Sequence, residues 1–126
     1  MGGVTTSEFA IFMAHDAETA FVNGADLSAI LAACATVETY LRIEAIGETK
    51  ASSSFKELVE KSELPSDLKS SLDKVRIFRN RWVHVRDPSD DRRLLKHSQS
   101  VMWEIAEHAD LAIKCMIQSV CSNPWI

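Results

Sequence analysis

Residues 29–37, AILAACATV, set the tightest limit on how this chain can fold. The stretch has few residues suited to a half-exposed strand, and read as a helix it is small and apolar on nearly every side. A helix of that kind needs neighbours on more than one side, which places it at the centre of a bundle. Asp26 is a candidate N-cap for it, and Ile30, Ala33, Val37, Tyr40 and Leu41 form its clearest stripe.

The remaining segments read as helices packed around that centre. Thr6-Ser7-Glu8 opens a pattern in which Phe9, Phe12, Met13, Ala17 and Phe21 recur at helical spacing, and Asn23-Gly24 stops it. After a polar connector, Ser54 caps a short helix carrying Phe55, Leu58 and Val59. Pro65 or Ser66 starts a fourth helix reaching about Val85, which Asp87-Pro88 interrupts because Pro disfavours helical geometry in the residue before it. Ser89-Asp90-Asp91 then caps a long fifth helix, with Leu94, Leu95, Val101, Met102, Ile105, Leu111, Ile113 and Met116 as its stripe to about Val120. The expected fold is all-α, an up-and-down bundle of four to five helices. At 126 residues, one domain is expected over 1–126, with its core at about 7–120.

No run of about 18 apolar residues is present, so no membrane span is expected. Cys34, Cys115 and Cys121 form no CxxC pair and sit in helical patterns, which fits reduced thiols and a cytoplasmic location. Charge is unevenly spread. From Lys74 to Lys96 there are eight Lys and Arg against three Asp, a balance of +5; the other residues carry six basic against fifteen acidic, or −9. A basic segment in an acidic protein is either a local anion-attracting field or a solvated helix face.

Within that segment the fourth helix has two faces. At about 100° per residue, Val75, Phe78, Trp82 and Val85 fall within roughly 80° of one another and point to the core, whereas Asn80 and His84 lie opposite, beside Ile77. A face mixing Ile, Asn, His and Arg suits a symmetric contact with a second copy of the chain. His takes and gives protons near neutral pH, Arg binds phosphate in a bidentate way, and Asn holds an oxygen or orients the imidazole. Arg79, Asn80 and His84 together suffice for RNA cleavage through the ribose 2′-hydroxyl, a route closed to DNA. Arg76, Arg81 and Arg86 are candidate contacts to the RNA backbone. Trp82 reads as core more than as a base-stacking ring. Arg92 and His97 repeat the same spacing but continue an ordinary helix face. Glu104 and His108 lie four apart, yet two ligands without a third do not make a metal site, and no metal or cofactor is expected.

At FRNRWVH the chain resembles the HEPN superfamily, small helical domains whose signature is Arg, then usually Asn, Asp or His, then three to five residues, then His. Arg79, Asn80 and His84 match it one by one, within a wider likeness over roughly 7–120. The resemblance implies a HEPN-like bundle, a homodimer with the motif at its interface and, in active members, metal-independent endoribonuclease activity. Such members often serve as toxins or in phage defence, neutralised by an antitoxin or other partner protein. It also implies that Glu38 resembles a polar position near the active groove. Some toxin members carry a Tyr two residues after the His that a partner modifies; Arg86 stands there, so that regulation is not expected. The open alternative is a dimeric helical module that binds nucleotide, RNA or a protein through the same groove without cutting.

Overall fold

The computed structural model describes residues 7–44, 53–84, 91 and 94–121, with no strand among them. Among the described residues the helices with defined bounds are, in order, α1 (Glu8–Val22), α2 (Asp26–Glu44), α3 (Phe55–Lys61), α4 (Ser66–Val83) and α5 (Ser98–Cys121). The chain is all-α over these residues. No helix among them is long and apolar enough to cross a membrane.

The helix ends follow local chemistry. Ser7 accepts from the Ala10 amide at 3.2 Å and caps α1, whose first turn carries Glu8 against the helix dipole. At its other end Gly24 takes φ 79°, its amide bonds to the Phe21 carbonyl, and the Ala25 amide bonds to the Ala20 carbonyl. This pair of bonds is a Schellman closure, and it turns the chain directly into α2. Asp26 is the first helical residue of α2 and not its cap; the Ala25 carbonyl makes the first bond, to Ala29 at 2.9 Å. Ser54 caps α3 by accepting from the Glu57 amide at 3.2 Å. Pro65 stands at the N-cap of α4 with no side chain to offer, and His84 closes that helix as C-cap.

The centre is α2, which touches all four other helices, with α1 and α5 also touching each other and α3 packing between α2 and α4. Ile30, Ala33, Val37, Tyr40 and Leu41 are buried as the stripe required. Thr36, fully buried in the same helix, bonds its hydroxyl back to the Ala32 carbonyl at 2.8 Å, so no polar atom is stranded there. One hydrophobic cluster draws residues from every helix.

Two expected stripes hold only in part: Ala17 and Phe21 of the first and Ile105, Leu111, Ile113 and Met116 of the last meet the core, and the others named below do not. Phe9 and Phe12 are 74% and 75% exposed; α1 meets the core through Ala10 and Ala17, with Ala14 and Phe21 beside them. Small side chains let the α1 and α2 backbones come close, which two phenylalanines at that seam would prevent. The fifth helix is not one continuous run either. Leu94, Leu95 and Lys96 are helical, His97 is a turn, and α5 starts at Ser98. Leu95, ahead of α5, and Met102 are 90% and 67% exposed, and full burial on α5 begins at Ala109. The Ser89-Asp90 part of the expected cap, and Val85 and Arg86, lie outside the described residues.

Candidate functional site

The site is built on the last turns of α4. Leu68, Leu72, Val75 and Phe78 bury one face of this helix, and that phase decides where each polar residue goes. Arg79 lies about 40° from Val75 around the helix, so its side chain runs along the seam with α2 and α3 and is half-buried. Asn80 lies further round and is also half-buried; His84, at the C-cap with φ −133° and ψ 88°, is exposed.

Arg79 is held from three sides. Its Nε and Nη2 donate to Asn80 Oδ1 at 3.3 and 2.9 Å. Its guanidinium carbon sits 5.5 Å from the centre of the Phe55 ring, a cation–π approach. Its Nη1 comes within 3.8 Å of Glu38 Oε1. Glu38 in turn accepts from Arg42 Nη2 at 3.1 Å through its other oxygen, and the same Arg42 nitrogen donates to the Ser53 carbonyl at 3.0 Å, just ahead of α3. Two unit charges about 4 Å apart attract by about 4 kcal/mol at an effective dielectric of 20, and desolvation offsets much of that. The cluster therefore fixes geometry more than it adds stability.

Beneath it lies Cys34. Burial pushes its thiol up to about 12, with the Arg79 guanidinium pulling the other way and smaller upward pushes from Cys115 and Glu38. A thiol so raised stays protonated near neutral pH and is no nucleophile. Among the described residues no group of three metal-ligating side chains comes together.

The other basic residues are partly spoken for. Arg76 forks onto Asp73 through Nε and Nη2, at 3.1 and 2.6 Å. Arg81 projects toward α5, where its Nη1 donates to Glu104 Oε1 at 3.0 Å and its guanidinium lies 5.6 Å from the Phe78 ring centre. The His108 ring stacks on Phe78 at 3.8 Å and 7°, and its Nδ1 faces the Glu104 carbonyl at 2.8 Å. Trp82 packs against the core with its ring centre 6.3 Å from that of Phe78, and its buried Nε1 has no hydrogen-bond partner among the described residues.

The structure thus gathers Glu38, Arg79 and Asn80 into one contact set and leaves the His84 side chain without a hydrogen bond or ion pair among the described residues. Arg76 and Arg81 point to separate carboxylates, and Arg86 lies outside the described residues. Two members of the cluster were missed from sequence. Arg42 carried a usable signal, since it stands four residues after Glu38 on one helix; Phe55 carried none, because its approach to Arg79 depends on how α3 docks. No protein-family model, curated protein or solved structure matches the chain.

Proposed function

We propose that the chain is a HEPN-type endoribonuclease, its bundle HEPN-like, acting as a homodimer through α4. The observation that carries this reading is a half-buried Arg79, held by Asn80 and Phe55 beside Glu38, on the same helix as an exposed His84 that closes the helix. A guanidinium fixed in this way takes a phosphate with little further ordering cost. His84, whose side chain has no partner among the described residues, serves proton transfer. The 2′-hydroxyl of the ribose gives up its proton to a base and its oxygen bonds to phosphorus. The bond from phosphorus to the 5′ oxygen breaks, that oxygen takes a proton, and a 2′,3′-cyclic phosphate remains. Arg79 stabilises the added charge on phosphorus, and Asn80 holds Arg79 or a ligand oxygen. Arg76, Arg81 and Arg86 are assigned to the RNA backbone, the first two after exchanging their present carboxylate partners for phosphate. The toxin or phage-defence setting, with a neutralising partner, is proposed on the resemblance at FRNRWVH.

A second reading is favoured by the carboxylates already on Arg76 and Arg81, which lower the free positive charge of the surface: a dimeric module that binds RNA, a nucleotide or a protein without cutting. One experiment separates the two. Labelled single-stranded RNA is incubated in EDTA with wild type, His84→Ala and Arg79→Ala, beside a substrate with deoxyribose at the cut site. Cleavage by wild type, a loss of about 100-fold or more in His84→Ala, and an inert deoxy substrate are expected. Intact RNA at every concentration of wild type, or equal cleavage by His84→Ala, rules out the ribonuclease.

A further inference from the structure

Arg79 has one hydrogen-bonding edge still open. Nε and Nη2 are engaged by Asn80 Oδ1, while Nη1 has no hydrogen bond among the described residues, only the approach of Glu38 at 3.8 Å. That separation is beyond hydrogen-bond reach, so Glu38 acts on Arg79 through its field alone. The carboxylate is bonded elsewhere: its second oxygen takes the Arg42 Nη2 proton at 3.1 Å, and Arg42 is itself anchored to the Ser53 carbonyl at 3.0 Å.

We infer that Arg42 is a positioning residue of the phosphate site: it holds the Glu38 carboxylate away from Arg79 and so keeps the Nη1 edge open for a phosphodiester. The inference rests on the reading that Arg79 receives phosphate. Without Arg42, the carboxylate loses its charge-assisted bond, and the guanidinium nearest to it is that of Arg79. Glu38 then closes the remaining gap, takes a bond from Nη1, and fills the place of the ligand with an internal anion. With Arg42 present, Glu38 is a tuned competitor, close enough to hold Arg79 in place and too far to occupy it. Arg42 thereby acts on the ligand through another side chain, not by touching it.

The arrangement predicts a sign that simple loss of structure does not produce. Binding of a fluorescein-labelled 2′-O-methyl single-stranded oligonucleotide, which cannot be cut, is followed by anisotropy at fixed salt. Arg42→Ala is expected to weaken binding about tenfold and Glu38→Gln to tighten it about tenfold, each a change of about 1.4 kcal/mol. In Glu38→Gln the further change Arg42→Ala is expected to have little effect, because no carboxylate is left to restrain. Glu38→Gln keeps the side-chain shape and Arg42's tie to Ser53, so it tests the sign even if Arg42→Ala folds poorly. Weaker binding by Glu38→Gln, or equal losses from Arg42→Ala in both backgrounds while Arg79→Ala still abolishes binding, overturns the role of Arg42 alone. Binding unchanged by Arg79→Ala overturns the phosphate site beneath it.

Discussion

Burial acts on single residues most plainly at the two core cysteines. Cys34 and Cys115 are both free and buried, and burial pushes their thiols up to about 12 and about 11 from an ordinary 9.0. The neutral thiol is the form the core accepts. In a Cys121→Ser background, iodoacetamide at pH 8 is expected to label the native protein far more slowly than the urea-unfolded chain, as read by mass spectrometry. The same shifts set a pH slope. Below about pH 9 the thiols are protonated in both states and their contribution is intact; above it the unfolded chain loses these protons first, so stability falls as pH rises toward 11 and 12. Urea midpoints across that range are expected to fall less steeply in Cys34→Ala than in wild type. The slope is the readout, since the smaller side chain also lowers the midpoint at every pH; equal slopes would show that burial does not hold the proton.

At the scale of elements, the buried stripe of α2 was legible in full and that of α1 only in part, through Ala17 and Phe21, and the difference has a physical cause. On α2 the larger side chains Ile30, Val37, Tyr40 and Leu41 share one side with Ala33 among them, so helical spacing finds the buried stripe although the rest of the helix is small and apolar. On α1 two sets compete: Phe9 and Phe12 on one side, and Ala10, Ala14 and Ala17 with Phe21 on another. Hydrophobicity picks the phenylalanines, but close approach to an alanine-rich α2 picks the alanines, and only the docked pair reveals which criterion decides. The site shows the same split. Arg79, Asn80 and His84 were visible as a motif, and Glu38 by its place in the second helix; Phe55 under Arg79 and His108 on Phe78 arise from packing between distant segments. The α1 reversal is testable by urea unfolding. Phe12→Ser is expected to change stability by no more than about 0.5 kcal/mol, and Ala17→Leu to cost about 1–3 kcal/mol by overpacking the seam. The opposite order would restore the phenylalanine face as the buried one.

On the scale of the whole molecule, the described surface has more than one exposed apolar site: Phe9 and Phe12 on α1, Met102 and Trp103 on α5, and Ile77 on α4, at 51% exposure. The proposed homodimer uses the α4 face, where Ile77 lies between Asn80 and Arg81 in angle and near His84. It brings two strongly basic segments together inside a protein of net charge −4, so like charges oppose the contact at close range and apolar burial must outweigh them. Salt then works in a definite direction. Screening shortens the reach of that repulsion from about 14 Å at 0.05 M to about 6 Å at 0.3 M salt, so association is expected to tighten as salt rises, opposite to the proposed RNA binding, which is expected to weaken. Sedimentation equilibrium is expected to give twice the chain mass for wild type, a monomer for Ile77→Asp, and an unchanged dimer for Phe12→Asp and Trp103→Asp. The circular dichroism of Ile77→Asp should match wild type, since Ile77 lies outside the core, while the proposed RNA cleavage is expected to be lost with the second copy. A monomer of wild type at high concentration, or a dimer broken by Phe12→Asp and not by Ile77→Asp, would take the contact away from α4 and leave each Arg79 and His84 to act within one chain.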